Sequence, residues 1–229
     1  MINTNIILDY LSELENNNTR EWYLTHREER KSAEFEFEKL IQELIFEIGK
    51  FDESILFNEP RKLTFKLVKD TRFSKDKTPY NPSFRAHISA KGKSPIPVGY
   101  FIYIKPNGES FLGGGLFADM FSNATTMIRD YISQNPSELY AIINKKPFKD
   151  NFNLLGTKLK NVPRGYDKEN PMSEYLKYKS WFLEYHVGDN EIMKPNDFIE
   201  MAGNIFHLMV PFNTYLNHAL EGFVMPARG

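Results

Sequence analysis

Val98-Gly99-Tyr100-Phe101-Ile102-Tyr103-Ile104-Lys105-Pro106-Asn107-Gly108-Glu109-Ser110-Phe111-Leu112 decides the fold class of this chain. Val98, Tyr100, Ile102 and Ile104 alternate with Phe101 and Tyr103, the two-residue period of a strand. Pro106-Asn107-Gly108-Glu109 is rich in turn formers and leads straight into Ser110-Phe111-Leu112, so a second strand follows the first. Upstream, Phe84, Ala86 and Ile88 alternate with Arg85, His87 and Ser89, which places those polar residues together on the opposite face. Leu63, Phe65 and Leu67 alternate with Lys62, Thr64 and Lys66, as in a half-buried strand. Downstream, Ser180 to Val187 alternates as well, with Trp181, Leu183 and Tyr185 on one face. Strands joined by short connections favour an antiparallel sheet, with a mixed sheet as the alternative.

Helical periods flank these strands. Ile6, Ile7, Tyr10, Leu11 and Leu14 recur at three- and four-residue spacing until Asn16-Asn17-Asn18 interrupts them. Thr19 is placed as the N-cap of a long helix whose stripe runs from Trp22 and His26 to Ile48, with Gly49 as its stop. After Gly113-Gly114-Gly115, the residues Met120, Ala124, Met127, Ile128, Tyr131 and Ile132 form another stripe. Pro136 opens a short helix, and Asn170-Pro171 reads as the N-cap and first position of one more. Pro195 opens the last helix, which carries Phe198 to Leu216 and is expected to kink at Pro211. The expected architecture is one α+β domain over residues 1–229: N-terminal helices, a central sheet, then C-terminal helices.

Composition narrows the function classes. The 229 residues are 41% hydrophobic and 26% charged, which is globular rather than disordered composition. The absence of cysteine excludes disulfides, thiolate nucleophiles and Cys-ligated metal centres. No apolar run approaches the roughly 20 residues of a membrane helix, and Met1-Ile2-Asn3-Thr4-Asn5 does not begin a signal peptide, so a cytoplasmic protein without a membrane partner is expected. The net charge of −1 conceals a strong asymmetry. Residues 1–59 hold 6 Lys/Arg against 14 Asp/Glu, whereas residues 60–93 hold 10 Lys/Arg against 2 Asp. Such a block either creates a local positive field or pairs with the acidic first segment of its own chain.

Lys69-Asp70-Thr71-Arg72-Phe73-Ser74-Lys75-Asp76-Lys77-Thr78-Pro79-Tyr80 closely resembles the signature of a bacterial and fungal family, domain of unknown function 2461. The resemblance extends to Asn17-Asn18-Thr19-Arg20-Glu21-Trp22, Phe111 to Leu116, Ile128-Arg129, Pro163 to Lys168, Glu174 to Lys177 and Lys179 to Phe182. Two positions depart from the family pattern: Lys69 stands where an Arg is usual, and Phe117 where a Trp is common. The first keeps the charge without the bidentate fork, and the second weakens any stacking there. The resemblance implies no activity, cofactor or catalytic residue, so chemistry is read from the residues themselves.

Arg72 offers a planar fork of donors suited to phosphate or carboxylate, with Lys75 and Lys77 as point charges and Ser74 as a hydroxyl donor. Pro79 holds the chain extended before Tyr80. The same loop could instead pair internally, with Arg72 on Asp70 or Asp76 and Tyr80 packed inward. Gly113, Gly114 and Gly115, between a strand and a helix, could offer backbone amides to an anion or simply make a tight turn. They do not complete a P-loop, because Gly114 and Gly115 occupy the Lys and Ser/Thr positions. Arg164 and Tyr166 form a second polar cluster able to clamp an acid and stack on a ring, or to pin a loop through Arg164 and Asp167.

Catalytic templates are sparse. The five histidines show neither HxH nor HExxH spacing, and no GxSxG elbow occurs. His87, sharing a strand face with Arg85, is the one weak candidate for an acid–base role. No metal and no cofactor are expected. The residues favour a basic pocket for a small phosphate- or carboxylate-bearing ligand, bound by Arg72, Lys75, Lys77 and Arg85, with glycine amides beneath and Arg164 and Tyr166 closing it. If that ligand is transformed, phosphoryl or phosphodiester chemistry fits better than acyl or redox chemistry. The alternatives are a nucleic-acid-binding module, suggested by cations interleaved with Phe65, Phe73, Tyr80, Phe84 and Tyr100, and a non-catalytic interaction domain.

Overall fold

Among the described residues, four strands pair in sequence order as an antiparallel meander: β1 (Phe84–Ile88), β2 (Gly99–Ile104), β3 (Ser110–Leu116) and β4 (Trp181–Val187). A computed structural model describes residues 2–72 and 75–226. The sheet is purely antiparallel, and helices precede, interrupt and follow it, so the fold is α+β. Five helical segments come first: α1 (Thr4–Asn16), α2 (Arg20–Thr25), α3 (Arg27–Gly49), a 3-10 turn (Glu53–Ile55) and α4 (Pro60–Leu63). Four helices lie between β3 and β4: α5 (Ser122–Gln134), α6 (Pro136–Ile143), α7 (Lys146–Asn151) and α8 (Ser173–Leu176). The short α9 (Asp189–Ile192) and the long α10 (Pro195–Ala219) follow.

Register sorts the strand residues onto two faces. Ala86, Ile102 and Leu112 stand opposite one another on the inner face, and Ile88, Tyr100, Gly114 and Leu183 form the next inner row. All but Gly114 are apolar and buried, and α10 and α3 cover them. α10 packs tightly on Gly114, because a Cβ there would lie 2.9 Å from the Met209 sulfur. Trp181, Phe198, Phe206, Phe212 and Tyr215 are among the largest fully buried side chains, so the core lies between this face and the helices. Burial of each such side chain stabilises the fold by about 1.5–3 kcal/mol.

Several local expectations change. The helix expected to run unbroken from Thr19 divides at His26, whose φ of −97° and ψ of 40° are not helical. The Thr25 hydroxyl donates to the Glu21 and Trp22 carbonyls, and His26 stacks on the Trp22 ring at 4.1 Å, which stabilises the break. The strand expected at Leu63–Leu67 begins instead as a single helical turn, since Pro60 is set at its first position. Only then does the chain reach the free edge of β1, through the Thr64–Ala86 bridge and the Phe65 amide donating to the Arg85 carbonyl at 2.9 Å. Asn170 does not cap a helix at Pro171. Its side-chain oxygen accepts from the Met172 amide at 2.8 Å, and the helix starts at Ser173. Pro211 sits inside α10, which continues about two turns beyond it.

Gly113, Gly114 and Gly115 lie inside β3 and not at a strand-to-helix turn. They face Phe101, Tyr100 and Gly99 on β2 and Glu184, Leu183 and Phe182 on β4. Gly115 has φ +93°, a conformation costly for other residues. The amide nest expected there is absent, because strand pairing on both sides engages this backbone. No helix among the described residues is long and apolar enough to cross a membrane.

Candidate functional site

The outer face of the sheet carries a different chemistry from the inner one. One row across it reads Arg85, Tyr103, Phe111 and His186, and Phe65 joins beside Arg85 at the edge. The next row reads His87, Phe101, Gly113 and Glu184. Phe117, just beyond β3, folds back over Gly113, where a Cβ would stand only 2.8 Å from its Cζ. Its ring stacks on Phe182 at 4.4 Å and lies 5.2 Å from Phe101. Tyr103 and Phe111 stack at 4.9 Å. Phe101, Tyr103, Phe111, Phe117 and Phe182 are all only partly buried, so a continuous aromatic floor meets solvent.

Polar groups border this floor. The Arg85 guanidinium lies 5.7 Å from the Phe65 ring centre and donates through Nη2 to the Lys66 carbonyl at 3.1 Å. Its Nε is buried and has no hydrogen-bond partner among the described residues. Burial draws Arg85 below the ordinary guanidinium range, with Tyr103 opposing, yet the group stays charged. Lys93 also reaches the Phe65 ring, at 5.8 Å, and donates to the Thr64 carbonyl. His87 is 6% exposed, and its Nδ1 likewise lacks a partner among the described residues. Burial pushes its imidazole down to about 4, against a smaller opposing effect of the Ser94 and Lys93 backbone. At the far side of the sheet, Glu184 stands 3.7 Å from His186 Nε2. Burial raises the Glu184 carboxyl above the ordinary carboxylate range, with His186 opposing. A buried polar atom left unpaired is costly, and here two such atoms lie beside half-exposed rings.

A family model described as conserved hypothetical protein, domain of unknown function 2461, matches residues 6–215. The chain belongs to this family. No curated protein and no solved structure gives a significant match to it. In this member of domain of unknown function 2461, the matched segments fall into separate places. Asn18 accepts from the Tyr80 amide at 3.1 Å and donates to its carbonyl at 3.0 Å, while Tyr23 stacks on the Tyr80 ring at 3.8 Å. Tyr80 is therefore an internal anchor for the hairpin that follows Val68.

That hairpin is tied together by its own charges. Arg72 pairs with Asp70 through both Nε and Nη2, the latter at 2.6 Å. Lys69 donates to Asp76 and to the Thr78 hydroxyl, each at 2.7 Å, and Lys69 together with the Thr78 amide and hydroxyl, which also donate to Asp76, holds that carboxyl well below its usual range. Lys77 donates to the Thr71 carbonyl, and Lys75 is exposed. Ser74 and Phe73 lie outside the described residues. Arg164 and Tyr166 lie between α7 and α8, further along the chain from the stretch where Leu155 and Lys158 bridge to Phe182 and Tyr178. They line an open cleft of about 710 Å³ with Lys168, Ser173, Glu174 and Lys177. The Tyr166 hydroxyl donates to Asp130 at 2.8 Å, and burial together with that carboxylate pushes it up to about 12.

Of the residues singled out from sequence, the fold brings Arg85, His87 and Gly113 onto one face. Arg72, Lys75, Lys77 and Tyr80 belong to the hairpin beside β1, and Arg164 and Tyr166 line a separate cleft with residues 161–177, so the expected single pocket does not assemble from all of them. Sequence reasoning left Glu184, His186 and Phe182 out of the site and treated Phe117 only as a departure that weakens stacking. A signal was present, because placing Trp181, Leu183 and Tyr185 inward sends Phe182, Glu184 and His186 outward. Among the described residues, no group of three or more His, Asp or Glu side chains is placed to hold a metal ion.

Proposed function

We propose that this protein binds a small phosphate- or carboxylate-bearing ligand with a flat apolar body on the outer face of its sheet. The observation that carries this reading is the buried Arg85 Nε, unpartnered among the described residues and set beside an aromatic floor open to solvent. A ligand anion accepting from the Arg85 guanidinium forms a charge-assisted hydrogen bond, and a turn of the side chain that brings the buried Nε to it satisfies that donor as well. Lys93, at the same Phe65 ring, adds a second cation. Phe101, Phe111 and Phe117 offer rings to the ligand body, in the manner of sites that combine apolar walls with a few polar groups. His87 stands in the row beside Arg85 and supplies the one buried imidazole of the face.

Titration calorimetry with nucleoside monophosphates, aromatic carboxylates and inorganic phosphate tests the reading. Ring-bearing anions are expected to bind more tightly than phosphate alone, and Arg85→Met to lose about tenfold or more in affinity, the value of one charged hydrogen bond. Unchanged melting of Arg85→Met keeps that loss attributable to the site. Equal affinity in the variant, or no binding by any ring-bearing anion, overturns the reading.

A single-stranded nucleic acid is the second reading, favoured by one further observation: the basic segment of residues 60–93 borders the aromatic face at β1. Affinity measured against salt separates the two. A steep log–log slope marks several phosphate contacts, and a slope near one marks a small ligand.

A further inference from the structure

The end of the aromatic floor opposite Arg85 is closed by a carboxylate. Glu184 projects from β4 on the outer face, in the row that contains Phe101 and Gly113. Its side chain is only 22% exposed. The one ionisable side chain paired with it among the described residues is His186, on the same strand, at 3.7 Å. No lysine or arginine among the described residues forms an ion pair with it. A carboxylate set into an apolar surface without a cation needs N–H donors, and its two oxygens accept best from two parallel N–H groups.

Resting on the binding reading above, we infer that the ligand is a nucleotide with a guanine-type base, its phosphate at Arg85 and its base edge at Glu184. Three strand spacings separate β1 from β4, about 14 Å across the sheet. That span suits a nucleoside mono- or diphosphate, and exceeds inorganic phosphate or a simple aromatic carboxylate. The base chemistry selects further. Guanine presents a ring N–H and an amino group side by side, which matches both oxygens of one carboxylate. Adenine and cytosine each set their amino group beside a ring acceptor, which repels an ionised carboxylate. Uracil flanks its single N–H with two carbonyl groups. Leaving the second oxygen of Glu184 unpaired on an apolar face is the penalty that discriminates among them.

The test is calorimetry at pH 8 with GMP, GDP, AMP, ADP and an aromatic carboxylate, on wild type, Glu184→Gln and Arg85→Met. Wild type is expected to prefer guanine over adenine nucleotides by about tenfold or more, the effect of one charged hydrogen bond. Glu184→Gln is expected to lose that preference, weakening guanine nucleotides and strengthening AMP and ADP, since the amide keeps the shape, removes the charge that repels the adenine ring acceptor and adds a donor for it. Equal binding of guanine and adenine nucleotides, or a preference that survives in Glu184→Gln, overturns the base assignment. Arg85-dependent binding then still upholds the anion site. If no nucleotide binds, the base assignment falls outright, and the aromatic carboxylate alone decides whether the anion site stands.

Discussion

The ring of Phe117 occupies the space that a side chain at Gly113 would take, with its Cζ 2.8 Å from where that Cβ would stand. The Leu183 carbonyl, at 3.1 Å from the same point, closes the other side. Gly113→Ala must therefore lift Phe117 from the sheet and from its stack on Phe182. The expected loss is about 1–3 kcal/mol, typical of overpacking. Urea unfolding of Gly113→Ala, Phe117→Ala and the double variant checks it. The double variant is expected to be more stable than the sum of the two single losses allows, and strict additivity refutes the contact.

His87 makes stability depend on pH. Its imidazole is held at about 4 in the folded chain by burial, against about 6.5 when unfolded. Between those values the unfolded chain takes up the proton and the folded chain does not, so folding weakens as pH falls. The loss begins as pH drops through about 6.5 and is complete near 4, amounting to about 3 kcal/mol. His87→Gln removes it. The stability gap between wild type and His87→Gln, followed by denaturant unfolding from pH 7.5 to 4, is expected to shift by that amount in favour of the variant. A pH-independent gap contradicts the burial of a neutral ring.

Arg72 and Arg85 are expected to differ in their effect on binding. Arg72 is exposed and gripped by Asp70, whereas Arg85 lies near the Phe65 ring and pairs across the strands with Tyr103 of the aromatic floor. Arg72→Lys is expected to change the affinity for ring-bearing anions by less than about twofold, as for exposed pairs generally. Arg85→Lys is expected to weaken it by about tenfold, because a point charge replaces the planar fork. Parallel calorimetric titrations decide, and equal losses in the two variants would bring the hairpin into the site.

Asn18 holds the basic hairpin from a distance of 62 residues in sequence, by bonding both backbone polar groups of Tyr80. Asn18→Ala leaves those part-buried groups unpaired and is expected to destabilise the chain by about 1–3 kcal/mol. Limited proteolysis is expected to cut first between residues 69 and 79 in the variant. An unaltered cleavage pattern with unaltered melting would show that Tyr23 stacking alone anchors the turn.

Local pattern was enough to read the α+β class, the antiparallel hairpin of β2 and β3, the shared face of Arg85 and His87, and the Thr19 cap, whose hydroxyl accepts from the Trp22 amide. Each depends on periodicity or on contacts a few residues apart, which adjacent letters encode directly. The break at His26, the turn at Pro60 and the place of the three glycines were decided by tertiary contacts. Gly113 and Gly114 read as a loop because glycine usually marks one, yet here they admit Phe117 on one face and α10 on the other. Whether Arg72 would meet Arg85, and Arg164 meet either, depended on strand order and not on charge. Three helices between β3 and Arg164 carry it into a separate cleft with Lys168 and Glu174, while the hairpin bearing Arg72 stays beside β1. Side-chain alternation along each strand was written in the sequence. The rows that align Arg85 with Phe111, and His87 with Glu184, exist only through hydrogen-bond register between strands up to about a hundred residues apart.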